Sequence, residues 1–255
     1  MSFEIHEETS SDGICTLTLD RPPANALNTE FLDAITARFV KLETSDTVRA
    51  VVITGRGNIF SAGMDLKIIP DLSVAEQGAA ITALNNNYGG LYAFPKPLIA
   101  AVNGHAIAGG LFFALVSDYR VGPEDGSQFG LTGVRAGVAF PVAALEIANA
   151  ELSPAAARRV LLSGRTVGSD VAADWGILDE VVQPGDVLAR ALEQAQLYAA
   201  TPPKAYATVK QQLRAAVLAR IEHVLADGGD PLLGNWITEE TSAAARATLA
   251  AGARS

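Results

Sequence analysis

The chain has 255 residues, 49% of them hydrophobic and 18% charged, with a formal net charge of -9 at pH 7. That length suffices for one large core, and the acidic balance disfavours sequence-independent nucleic-acid binding, although a few local basic residues can serve a phosphorylated small ligand. No apolar run reaches the roughly 20 residues that a membrane span needs, and three scattered histidines (His6, His105, His223) with the single Cys15 offer no metal-ligand spacing.

The polar, acidic stretch 1–10 is not a secretory signal, so the expected compartment is the cytoplasm. Residues 14–19 alternate apolar and small polar side chains and predict a strand that runs into the Asp20-Arg21-Pro22-Pro23 turn. Asn28-Thr29 offers an N-cap, and Phe31, Ile35, Phe39 and Leu42 follow at helical spacing. Residues 50–54 predict a short buried strand stopped by Gly55-Arg56-Gly57. Beyond a bend at Gly63, residues 70–77 read as a surface loop or the start of a helix, and 81–94 as a helix ended by Pro95-Lys96-Pro97. Residues 98–102 predict a strand, 109–117 a helix and 119–121 a further strand.

From Ser153 the pattern turns mostly helical. Ser153-Pro154 opens a helix in cap-then-proline order, 170–175 predict a short helix stopped by Gly176, and 177–182 a strand. Two helices are expected over 184–200 and 202–225, then an Ala-rich, helix-prone stretch over 231–251. The recurrence of strand, bend and helix predicts an α/β fold with much parallel pairing. It divides into a layered core, residues 1–195, and a helical C-terminal region, 196–255, with no flexible linker or fixed-period repeat.

Two segments point to chemistry: Phe60-Ser61-Ala62-Gly63-Met64-Asp65-Leu66 and Asn103-Gly104-His105-Ala106-Ile107-Ala108-Gly109-Gly110-Leu111. Each sets small residues at a bend, where backbone N–H groups are exposed. Two such groups converging on one point make an oxyanion hole, which stabilises negative charge on a carbonyl oxygen. There is no Gly-Lys-Ser/Thr phosphate loop, and no Gly-x-Gly-x-x-Gly follows a strand.

Further matches lie in Leu19-Asp20-Arg21-Pro22, Asn25-Ala26-Leu27-Asn28, Val51-Val52-Ile53-Thr54-Gly55, Lys96-Pro97-Leu98-Ile99-Ala100-Ala101-Val102 and Ser163-Gly164-Arg165, and in the run from Ala172 through Trp175-Gly176-Ile177-Leu178-Asp179-Glu180-Val181-Val182. With them the chain resembles the crotonase family, also called the enoyl-CoA hydratase/isomerase superfamily, over nearly its whole length. The resemblance implies a spiral of strand-strand-helix turns, with C-terminal helices that build a homotrimer, often doubled to a homohexamer. It implies a lyase or isomerase of fatty acid metabolism that binds an acyl-CoA thioester, with coenzyme A as part of the substrate, no separate cofactor and no metal. The thioester oxygen would accept from the backbone N–H groups of Met64 and Gly109, and Gly110 would help the thioester approach closely. Ser61 and Ala62 would hold the adenine through backbone groups, Ala24 and Leu27 would line the coenzyme's path, and Asp65 would brace the loop beside the ligand. Lys67, Lys96 and Lys210 are candidate phosphate partners.

The chain departs from the family's pattern at the acid–base positions. Hydratases of the family use two glutamates, and their places fall on Phe112 and on Gly133, both expected at the acyl pocket; isomerases keep the second of the two. The nearest acids to Gly133 are Glu124, Asp125 and Glu146. General acid–base help contributes about 10² to 10⁴-fold, and neither Phe nor Gly supplies it, so ordinary hydratase activity is not expected. His105, Asp65, Tyr88 and Tyr92 are weighed as substitutes, with structural roles favoured for each. Arg135 pairs either with a nearby acid, the favoured reading, or with an anionic acyl group. Two readings stand: an enzyme with atypical acid–base chemistry, for which retro-Claisen cleavage or decarboxylation suits a bare oxyanion hole, and a non-catalytic acyl-CoA binding protein. A Clp-type serine peptidase is set aside because the helix bend holds Ala108, Gly109 and Gly110 in place of a serine.

Overall fold

A computed structural model of the chain describes residues 2–234 and 236–252; Met1, Asn235 and 253–255, which fall within the regions expected over 1–195 and 196–255, lie outside the described residues. The chain opens with an antiparallel pair, β1 (Glu4–Thr9) and β2 (Ile14–Asp20). Helix α1 (Thr29–Thr44) starts at Asn28, whose side chain accepts from the Phe31 N–H at 3.0 Å, and it buries Phe31, Leu32, Ile35, Phe39 and Leu42. A strand-strand-helix unit then repeats: β3 (Ala50–Gly55), β4 (Ile59–Ser61) and α2 (Val74–Ala93); β5 (Leu98–Ala101), β6 (His105–Ile107) and α3 (Phe112–Leu115); β7 (Tyr119–Pro123), β8 (Phe129–Gly130) and α4 (Val142–Glu151). Helices α5 (Pro154–Ser163) and α6 (Ser169–Asp174), strand β9 (Glu180–Val182) and helices α7 (Val187–Ala199), α8 (Pro203–Ala226) and α9 (Glu239–Gly252) complete the described chain.

The first strand of each unit joins a sheet of order β1-β2-β3-β5-β7-β9, parallel from β2 onward; the second joins a smaller parallel sheet, β4-β6-β8. This is the spiral that the resemblance implies. Successive side chains of a strand point to opposite faces. Here Ala50, Val52, Ile99 and Ala101 meet Val187, Ala191 and Ala195 of α7, while Val51, Ile53, Leu98 and Ala100 enter the main core. A strand covered on both faces carries an unbroken apolar run, which is why β3 and β5 are plain in the sequence.

The structure adds a strand to the expected elements and breaks up one expected helix. Strand β1 carries Glu4, His6, Glu7 and Glu8 along an exposed edge, so it has no apolar signature. Helix α2 begins at Val74, within the stretch expected as a loop or a helix start, and is fixed by a capping box in which Ser73 and Glu76 bond each other's backbone N–H groups. The helix expected over 109–117 is a 3₁₀ turn, Ala108–Leu111, followed by the single turn of α3. Residue 195 lies within α7, which packs on the sheet. The region beyond does not stand apart, because Ile221 and Trp236 join the main core. No helix among the described residues is long and apolar enough to cross a membrane.

Candidate active site

The three strands of the small sheet run parallel and deliver three loops to one edge. Strand β4 leads to 62–64, β6 to the turn at 108–111, and β8 to the 3₁₀ turn Thr132–Ala136 and on to Phe140. They enclose a cavity of about 530 Å³ lined by Ala62, Met64, Ala108, Gly109, Phe112, Gly133, Arg135 and Phe140, with Leu84 and Tyr88 from α2, residues 164–166, and Trp236 and Thr248 from the C-terminal region.

Loops 62–64 and 108–111 touch backbone to backbone. A Cβ on Gly63, which sits at φ +78°, would stand 2.8 Å from the Gly109 nitrogen, and one on Gly110 would stand 2.3 Å from the Ser61 carbonyl oxygen. Ala108 holds φ +48°, a left-handed conformation that costs a residue with a Cβ on the order of 1 kcal/mol or more. Leu27 clamps the first loop: its N–H donates to Gly63 O at 2.8 Å and its C=O accepts from the Asp65 N–H at 2.9 Å. The Met64 N–H between them is left over. Among the described residues, neither the Met64 nor the Gly109 N–H has an acceptor.

Tyr88 braces the second loop. Its Oη donates to Gly109 O at 2.8 Å, and its ring lies 5.0 Å from that of Phe112. Burial pushes the phenol far above its ordinary range, so it stays protonated and serves as a donor. Tyr88→Phe is expected to cost about 0.5–1.5 kcal/mol of stability, the usual net worth of one hydrogen bond, because Gly109 O keeps the Phe112 N–H as a second donor. Denaturant unfolding checks it; an unchanged midpoint would mean that the hydroxyl does not hold the loop.

The enoyl-CoA hydratase/isomerase family model matches residues 9–230 of this sequence. The chain belongs to that family. Probable enoyl-CoA hydratase EchA17 of Mycobacterium tuberculosis (strain H37Rv) is 32% identical over 206 residues, covering 81% of this chain and 78% of the relative. Carnitinyl-CoA dehydratase of Escherichia coli K12 is 33% identical over 221 residues, covering 84% and 81%. The crystal structure of human mitochondrial delta3-delta2-enoyl-CoA isomerase matches with a TM-score of 0.92 at 26% identity, covering 98% of each chain.

This member of the enoyl-CoA hydratase/isomerase family walls much of its cavity with apolar side chains. Phe112 is fully buried, its ring 5.9 Å from that of Phe140. A Cβ at Gly133 would stand 2.8 Å from Phe140 Cζ and 3.0 Å from Val138 O, so the Phe140 ring occupies the space of a side chain there. No Asp, Glu or His lines the cavity among the described residues.

Several residues expected at the ligand stand outside the cavity wall. Ser61 is buried, with Oγ donating to Asn25 O at 2.7 Å. Asp65 accepts from Arg21 at 3.0 Å and from the Lys67 N–H at 3.1 Å; it braces the loop without lining the cavity, and the Lys67 side chain is exposed outside it. A Cβ on Gly110 would meet Ser61, which lies against it. Ala24 and Leu27 also lie outside the cavity wall: Ala24 O accepts from the Ala62 N–H at 3.0 Å, and Leu27 clamps the loop as described. Lys96 donates to Leu42 O and Ser45 O at the end of α1, and Lys210 donates to Lys96 O and Asp118, so both are held by the fold. His105 Nδ1 accepts from the Gln128 N–H at 3.0 Å, and Tyr92 donates to Glu151 at 2.8 Å. The carboxylate expected beside Arg135 is not there: Arg135 forms no ion pair among the described residues. Trp236 was not expected in the wall. Its Nε1 donates to Ala139 O at 2.9 Å across 97 positions, a link without a local signal.

Proposed function

We propose that the protein takes the acyl group of a coenzyme A thioester into the 530 Å³ cavity and holds the thioester oxygen between the N–H groups of Met64 and Gly109. The observation that supports this most is the pair of N–H groups without acceptors where loops 62–64 and 108–111 meet. An enolate carries its charge on that oxygen, and one backbone donor of this kind is worth about 3 kcal/mol, because it needs no reorganisation as the charge develops. No cofactor beyond the thioester, no nucleic acid and no membrane enters this reading. The working form is a homotrimer or homohexamer in the cytoplasm, with the outward leucines and valines of α8 supporting subunit contact: Val209 is 62% and Leu213 81% exposed in the isolated chain.

With no carboxylate or imidazole in the wall among the described residues, the enolate arises by cleavage of a carbon–carbon bond. In decarboxylation, CO₂ departs, the bonding pair stays on the α-carbon as enolate, and a water proton then quenches it. The apolar wall equally favours a second reading, a binding protein without turnover. Titration with acetoacetyl-CoA is expected to raise a near-ultraviolet enolate band, since the two N–H groups favour enolate over ketone. Binding heat without that band would refute the oxyanion placement. The band, with no turnover of malonyl-type or β-ketoacyl thioesters, would select the binding protein.

A further inference from the structure

Resting on the acyl-CoA reading, we propose that the preferred acyl group ends in a carboxylate, taken by Arg135 and Arg165 at the wall of the cavity. In this acidic chain most structural arginines are matched to acids: Arg21 with Asp65, Arg120 with Glu151, Arg190 with Glu180, Arg214 with Asp118, Arg220 with Glu146. Arg135 and Arg165 are different. Among the described residues neither side chain forms an ion pair or a hydrogen bond, and both line the cavity.

The two arrive from separate parts of the chain. Arg135 sits on the 3₁₀ turn Thr132–Ala136 after β8, and Arg165 follows Gly164, the left-handed C-cap of α5 at φ +57°. A Cβ on Gly164 would stand 2.5 Å from Arg135 Cγ and 3.1 Å from Cδ, so the Arg135 stem lies against the Gly164 backbone, one residue from Arg165. Only a glycine allows that approach at this position, and it brings two guanidinium-bearing residues beside one cavity with no acid among its described lining residues.

A guanidinium is a planar fork matched to a carboxylate, and it tolerates partial desolvation better than an ammonium does. Between the loops that carry Gly109 and Arg135, the wall is Phe112, Val138 and Phe140, which suits methylenes. A carboxylate cannot rest against those rings unpaired; the two arginines supply its partner. The same anion chemistry is offered by the coenzyme's phosphates. Arg135 and Arg165 are exposed, as Lys67 is, but they also line the wall shared with Phe112 and Gly133 and Lys67 does not, which favours the acyl carboxylate.

Calorimetry on the full chain separates these sources. Glutaryl-CoA is expected to bind about tenfold more tightly than pentanoyl-CoA, which has the same chain length and no carboxylate. Arg135→Gln with Arg165→Gln is expected to erase that ratio. The ratio in the unaltered protein should also shrink as salt is raised, a readout that needs no variant. Equal binding of the two thioesters, or a ratio indifferent to salt, overturns the proposal while leaving the acyl-CoA reading in place. A double variant that loses pentanoyl-CoA and free coenzyme A as much as glutaryl-CoA assigns the arginines to phosphate and overturns it as well. Failure of both thioesters to bind the unaltered protein refutes the acyl-CoA reading itself, and this proposal with it.

Discussion

Asp118→Asn is expected to cost about 3–5 kcal/mol of folding stability, the usual penalty for stranding buried charge. Asp118 stands between α3 and β7 and gathers four donors: the Leu98 N–H at 2.8 Å, Tyr206 at 2.8 Å, Lys210 at 2.6 Å and Arg214 at 2.9 Å. Lys210 and Arg214 are one helical turn apart on α8, and their side chains are only 7% and 5% exposed. The carboxylate therefore ties the C-terminal region to the point where β5 and β7 begin. Without its charge, two cations remain buried with no anion of their own. Adding Lys210→Met to Asp118→Asn is expected to recover part of the loss, because it removes one of the stranded cations. A loss under about 1 kcal/mol, or no recovery in the double variant, would show that the cluster is not what holds α8.

The same cluster predicts a pH dependence. Burial lowers the Lys210 ammonium from 10.5 to about 8, with Asp118 opposing the fall. The unfolded chain then binds more protons than the folded one between these two values, so stability rises with pH across that window. The penalty is fully present below about 8. In Asp118→Asn the opposing charge is gone, so the rise should begin at lower pH. Unfolding free energies across pH 6.5–10.5 would show a left-shifted curve; coincident curves would count against the assignment.

What the sequence reveals follows the range of the forces involved. The central strands are legible because burial on both faces demands continuous apolar runs, and α1 is legible because its cap, Asn28, stands next to the helix it starts. The two loops of the site are legible because a left-handed bend such as Gly63 excludes most side chains. Nothing in an alanine announces that Ala108 takes a similar conformation. For the same reason, a missing Cβ signals a close approach without saying whether a ligand or a neighbour such as Ser61 makes it. Charged residues were the least legible. Asp65 is claimed by Arg21 from 44 positions away and Lys210 by Asp118 from 92, whereas Arg135 and Arg165 are claimed by no acid among the described residues. Only the packed chain distinguishes a cation that the fold uses from one that it leaves for a ligand.

Gly133→Glu alone is expected to yield little isomerase activity, although the resemblance makes position 133 the place of the missing base. Its backbone is outside the left-handed region, so space, and not conformation, excludes a side chain. The obstruction is Phe140, whose ring would lie 2.8 Å from the new Cβ. Forcing a glutamate in costs about 1–3 kcal/mol of overpacking and leaves the carboxylate turned by the ring. Phe140 is only partly buried, and its Cα lies on a loop, so Phe140→Ala removes the ring at modest cost and leaves Val138 O, 3.0 Å from the new Cβ, to shift by a few tenths of an ångström. The combined Gly133→Glu, Phe140→Ala variant is expected to shift the double bond of a 3-enoyl-CoA into conjugation at least about 10²-fold faster than the unaltered protein, the lower range of general-base help. The growth of the conjugated thioester's absorbance reads the rate. Apolar surroundings should raise the new carboxyl's pKa, which brings it closer to that of an effective base at neutral pH. Phe112→Glu should help less, since that side chain is fully buried against Tyr88 and a carboxylate there has no partner. If the combined variant folds, binds thioester and still gives no rate, position 133 does not face the carbons between which the proton must move. If Gly133→Glu alone matches it, the Phe140 ring is not what keeps a base out.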